Sequence, residues 1–231
     1  MKNGIDQEDH LDYLQRLLES KSTAKQVTYK NLLVAFNLLM QESKRIVVAL
    51  KKKVQSADED VTVEFKIINE HEFHVKLAGD LLVFVLHTNI VTLPEEHSVM
   101  QEPYIKENEL NRYFGQIMIY NFMSDSLKFN RINDPGYLLA RILINHQNRF
   151  VAEGEGSLAD SFTKVSATGI SERELTVIVK YSLLTAIESD LMAPPFPDVR
   201  FITLYQKIEK TQELGGGQKI GFRMSHQSRI E

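Results

Sequence analysis

The chain has 231 residues, 43% of them hydrophobic and 25% charged, with a formal net charge of −4 and no cysteine. That composition is ordinary for a globular protein and excludes disordered and collagen-like classes. The missing cysteines exclude a disulfide framework, thiolate metal sites, iron–sulfur ligation and a cysteine nucleophile together, and they fit a reducing compartment.

Met1 to Asp12 carries four acids, Asp6, Glu8, Asp9 and Asp12, where a signal peptide needs a positive start and an apolar run. The longest apolar run, Leu81 to Leu86, is too short to span a bilayer. The expected location is therefore the cytoplasm, with no membrane partner. Residues 8–20 place Leu11, Leu14, Leu17 and Leu18 at helical spacing. Thr23-Ala24-Lys25-Gln26 fits a capping box, which predicts a new helix start at Thr23. From there to residue 56 no Gly or Pro intervenes, and Tyr29, Leu32, Leu33, Phe36, Leu39, Met40, Val47, Leu50 and Val54 form one apolar stripe. Such a helix would be roughly 50 Å long, more than a compact domain of this size needs.

Charge is concentrated on this same segment. Lys21 to Val54 holds eight basic residues against one acid, Glu42, a charge of +7 that leaves −11 for the remainder. At 100° per residue, Lys30, Lys44, Arg45, Lys51 and Lys52 share the side opposite the apolar stripe. They form a candidate polyanion-binding set. A solvated helix face, or pairing with the acidic remainder, is the preferred account of them.

After Asp58-Glu59-Asp60 the period changes. Val61, Val63, Phe65 and Ile67 alternate with polar residues, as a half-buried strand requires. A turn at Asn69-Glu70-His71 leads to a partner strand with Phe73, Val75 and Leu77, and Gly79-Asp80 leads to a central strand, Leu81 to Val91. Residues 94–111 read as an acidic, irregular surface loop. Arg112 to Phe122 and Leu127 to Ile132 are expected to form a hairpin about Ser124-Asp125-Ser126, with Asp134-Pro135-Gly136 as a turn. Leu138 to Ile144 and Arg149 to Glu153 form another hairpin about His146-Gln147-Asn148. Ser171-Glu172-Arg173-Glu174 is a second capping box, opening a helix with Leu175, Ile178, Val179, Leu183, Ala186, Ile187 and Leu191 at the spacing of one buried face. Pro194-Pro195-Phe196-Pro197 stops it, and Val199 to Ile208 reads as a last strand before a basic tail. The expected fold is α+β: an antiparallel sheet of seven to eight strands, a long N-terminal helix, and a second long helix before the last strand. The expected organisation is a helical region 1–57, an α+β domain 58–212 and a flexible tail 213–231.

No pattern names a chemistry. There is no G-x-x-x-x-G-K-[ST], no strand-to-helix G-x-G-x-x-G and no G-x-S-x-G, and Gly154-Glu155-Gly156 sets an acid where phosphate would sit. His71 and His74, three apart in a predicted strand, point to opposite faces, so no metal site and no cofactor is expected. Asp134, Glu153 and Glu155 resemble a nuclease carboxylate set but have Glu155 where a water-positioning lysine is needed. The leading expectation is a non-enzymatic binding or assembly protein. It would form a homo-oligomer through the helix 23–56 and the sheet face around Tyr113, Ile117, Ile119 and Tyr120. The alternatives are a nucleic-acid-associated protein using the lysine ridge, and a hydrolase built from His71, His74, His87, Asp134, Glu153 and Glu155.

Overall fold

The helix expected to begin at Thr23 begins thirteen residues earlier. In the computed structural model, which describes residues 10–54, 61–192, 195–201, 203–204 and 218–219, α1 (His10–Leu17) passes through a π-helical turn (Leu18–Ser22) into α2 (Thr23–Lys53) without a break. Ser22 and Thr23 both have right-handed helical backbone angles. The Thr23 hydroxyl therefore donates back to the Leu18 carbonyl at 3.0 Å instead of capping a helix start. Because the helix runs on through Ser22 and Thr23, the amides after Thr23 have carbonyl partners in the preceding turn, and a capping box has no orphan donors to satisfy. The helix ends at Lys53, where Lys51, Lys52 and Lys53 occupy the last turn and complement the negative end of its dipole.

Six strands follow in a meander, β1 (Val63–Asn69), β2 (Glu72–Leu77), β3 (Asp80–Val91), β4 (Phe114–Met123), β5 (Tyr137–Asn145) and β6 (Phe150–Gly154). They lie in the sheet in sequence order, and every neighbouring pair is antiparallel. The fold is thus α+β on an antiparallel sheet with a long N-terminal helix. The sheet has six strands, not seven to eight, for two reasons. Residues 124–128 form a helical turn, α4 (Ser124–Lys128), and β4 pairs with β5, so Leu127 to Ile132 forms no strand. The last strand expected over Val199–Ile208 is also missing from its described residues. Val199 closes a one-turn helix, α6 (Phe196–Val199), and Leu204 is helical. Residues 202 and 205–208 lie outside the described residues, as does most of the tail. A two-residue ladder joins β7 (Leu191–Met192) to β8 (Gln218–Lys219) apart from the main sheet.

One face of the sheet carries Phe73, Val75, Leu82, Phe84, Leu86, Ile117, Ile119, Ile142 and Ile144, all buried beneath α2 and α5 (Glu172–Glu188). Period-two alternation puts these side chains on the same side. The matching helical face of α2 is Ala24, Thr28, Leu32, Ala35, Phe36, Leu39, Ser43 and Val47. Phe73 is the centre of the contact, stacked on Phe84 at 4.4 Å and tilted against Phe36 at 5.4 Å. Where α2 crosses β4 the strand has Gly115. A methyl group there would stand 2.8 Å from Leu32 Cδ2, so glycine sets how closely helix and sheet approach. Ser171 and Glu174 form the expected capping box at the start of α5.

The insert between β3 and β4 covers one end of the other face. The segment between β3 and β4, read as a loop from sequence, folds into short helical turns including α3 (Pro103–Glu107). They seat Leu93, Val99, Met100 and Ile105 on Phe114, Leu143 and Val151. Asn145, at the end of β5, joins this insert to the rest: its amide donates to the Tyr104 hydroxyl at 2.8 Å, and its backbone carbonyl accepts from Asn31 of α2 at 3.1 Å.

Candidate functional site

The unusual geometry is in the helix layer. From His10 to Lys53 the helix is about 66 Å long at 1.5 Å per residue. The twelve-residue β3, the longest strand, spans about 40 Å. Ala24 is the first buried residue of the helix, and no residue of α1 or the π turn is buried. The first three to four turns, hereafter the arm, therefore extend past the sheet. On the arm Leu11, Leu14 and Leu18 are 70%, 51% and 55% exposed, at the i, i+3, i+7 spacing of one helical stripe. At its base Lys21 and Lys25 lie over the Tyr113 ring at 5.7 and 5.0 Å.

At the opposite end of the same helix, α2 and α5 diverge over a groove of about 470 Å³. Its floor is Ile46, Ala49, Leu50, Leu183, Leu184 and Ile187, and Arg45, Lys53 and Lys180 supply its polar rim. Leu184 and Ile187 are 45% and 52% exposed, a large apolar fraction for adjacent turns of one helix.

The structure separates the members of the lysine set. Lys30, Lys44, Arg45, Lys51 and Lys52 are all exposed. Arg45 is nevertheless engaged: its guanidinium clamps the buried Glu42 carboxylate, with Nε at 3.0 and 3.1 Å from the two oxygens. Thr176 of α5 donates to the same carboxylate at 2.6 Å. Hydrogen bonds from Arg45 hold the Glu42 carboxyl below its ordinary range despite the opposing effect of burial, and the same pairing raises Arg45. The ion pair lies within α2, and the Thr176 hydrogen bond to its carboxylate ties α2 to α5 beside the groove.

The six residues of the hydrolase reading are scattered. His71 sits on the β1–β2 turn within 3.3 Å of the Tyr29 hydroxyl, and His74 pairs with Glu72 at 2.6 Å. His74 lies opposite Val83, four residues before His87 on β3, a rise of roughly 13 Å. Register places Glu72, Val85, Met118, Arg141 and Glu153 in one row across five strands, so the backbones of Glu72, the partner of His74, and Glu153 are about 19 Å apart. Asp134 accepts from Ser126 at 2.5 Å in the loop after α4, and Glu155 follows β6. Among these six, none forms a shared site with another.

Sequence reasoning missed the pairing of His97 with Glu153, fifty-six residues away. Glu153 accepts from His97 Nε2 at 2.7 Å and from Arg141 Nε at 2.6 Å, and His97 Nδ1 accepts from the Val99 amide at 3.3 Å. Both imidazole nitrogens are thereby occupied, leaving no lone pair for a general base. The cluster fastens the β3–β4 insert to the sheet. His146 is half-enclosed beside Asn111, and burial pushes its pKa down. Among the described residues no group of three or more His, Asp or Glu is placed to hold a metal ion, and no helix is long and apolar enough to cross a membrane.

The sheet-face surface expected around Tyr113, Ile117, Ile119 and Tyr120 does not exist as one patch. Ile117 and Ile119 are fully buried beneath α2, whereas Tyr120 faces the opposite side, with its hydroxyl on Met118 Sδ at 2.8 Å. No family model, curated protein or solved structure matches the chain.

Proposed function

We propose that this is a non-enzymatic binding or assembly protein that acts as a homo-oligomer joined through its N-terminal helix. One observation carries the reading: an arm without a buried residue, extending about 20 Å past the sheet, displays leucines along one side. A solvent-facing helical turn gains only about 0.2–0.5 kcal/mol per aligned apolar pair, whereas a second helix covering them gains about 0.8 kcal/mol per buried methylene. Among the described residues the candidate carboxylates stand apart, and His97 is engaged at both ring nitrogens. Sedimentation equilibrium of the intact chain is expected to show reversible association across the micromolar range. A strictly monomeric protein at 100 µM would overturn the proposal.

A further inference from the structure

A hollow of about 540 Å³ lies where α3 meets the β5–β6 turn, and every residue lining it carries a polar group: Tyr104, Glu107, Asn108, Asn111, Gln147 and Arg149. That volume suits a small molecule, and that lining a polar one. Hydrogen bonding fixes which polar atoms face the space. Asn145 is fully buried, and its Oδ1 accepts from the Gln147 and Arg149 backbone amides at 3.0 and 3.1 Å, as an asparagine entering a turn commonly does. Its Nδ2 is therefore the atom that donates to the Tyr104 hydroxyl. The hydroxyl keeps its own proton to give, and donates it to Gln147 Oε1 at 2.8 Å. Gln147 is thereby turned with its amino group left over. Asn108 is turned likewise, since its Oδ1 accepts from the Leu110 amide at 2.9 Å. The Arg149 guanidinium lies over the Tyr104 ring at 4.2 Å, and among the described residues no carboxylate pairs with it. Asn111, 2% exposed, has both ends of its amide engaged, on the Tyr104 carbonyl and on His146.

We infer that this hollow binds a small zwitterionic carboxylate, an amino acid by chemical class. The groups left over are donors: the Arg149 fork and the amino groups of Gln147 and Asn108. A guanidinium fork matches a planar carboxylate with two parallel hydrogen bonds. Glu107 is the one acid in the lining and faces the ligand's ammonium. Arg149 and Glu107 leave the lining with no net charge, which disfavours a phosphate dianion and matches a zwitterion. The site shares no residue with the arm, so it stands or falls apart from self-association.

Nitrogen-correlated NMR of the full chain reads the side-chain N–H groups of Asn108, Gln147 and Arg149 directly. Each common amino acid, acetate and inorganic phosphate is titrated separately to about 10 mM. At least one amino acid is expected to shift these signals saturably, with about tenfold higher affinity than acetate or phosphate. Arg149→Gln should weaken that binding about tenfold or more. Glu107→Gln, at an exposed position, should weaken the amino acid and leave acetate unchanged. The assignment falls if no amino acid moves these signals, or if phosphate binds more tightly than all of them. Unchanged amino acid affinity in Glu107→Gln overturns it as well, and that variant decides the matter should Arg149→Gln fail to fold.

Discussion

Leu14→Asp tests the arm with little risk to the fold. The side chain is 51% exposed and belongs to a segment in which no residue is buried. Burying a leucine completely is worth about 2 kcal/mol. Covering the half still in water would therefore contribute about 1 kcal/mol per copy and about 2 kcal/mol per symmetric dimer. At about 1.4 kcal/mol per factor of ten, the dissociation constant should rise about 25-fold or more, before the cost of desolvating two carboxylates is added. The monomer should lose only about 0.5 kcal/mol, the helix-propensity difference between leucine and aspartate. Sedimentation equilibrium measures the first quantity and urea unfolding monitored by circular dichroism the second. An unchanged dissociation constant, with the arm still helical, would refute the argument that these leucines form the contact.

Gly115→Ala should destabilise the protein by about 1–3 kcal/mol in urea unfolding, because the new methyl group meets the fully buried Leu32 at 2.8 Å. A loss below about 0.5 kcal/mol would mean that α2 can lift from the sheet at little cost. Glu42 has a folded pKa below its ordinary value of 4.5, so its stabilisation is present above that pH and is lost as pH falls through the lower folded value. Glu42→Gln should accordingly lower stability at pH 7 and flatten the acid limb of the stability curve below pH 4.5; a parallel downward shift at all pH values would contradict the ion-pair account. Duplex DNA or RNA should not be retarded by the protein at low salt. Retardation that weakens steeply with salt and disappears when Lys30, Lys44, Lys51 and Lys52 become Glu would replace self-association with polyanion binding as the role of this helix.

Much of the sheet was legible because its strands follow one rule. Phe73, Val75 and Leu77 alternate toward the helices, and the β5–β6 hairpin surrounds the expected His146-Gln147-Asn148 turn. The errors fall where apolar residues do not report burial. Leu127, Phe129 and Ile132 read as a strand but are exposed around a helical turn. Thr23 has every residue of a capping box yet sits mid-helix, since a motif signals a helix start only when the preceding chain is not already helical. The arm's leucines were visible as a pattern, but that pattern fits burial and exposure equally. The groove was invisible, because Ile46 and Leu184 are separated by most of the chain and meet only through the α2–α5 packing.

The π turn at Leu18–Ser22 acts as a phase shifter. It threads one residue more than an α-helical turn would, which rotates everything upstream by about 100° relative to the face that α2 lays on the sheet. The direction of the leucine stripe is thus set independently of the direction of the core stripe, within a single rigid rod. Deleting one residue between Leu18 and Ser22 would leave the sheet contacts of α2 in place and turn the arm to a different azimuth. The orientation of any assembly built on the arm is therefore encoded in the residue count of one turn, separately from the residues that make the contact.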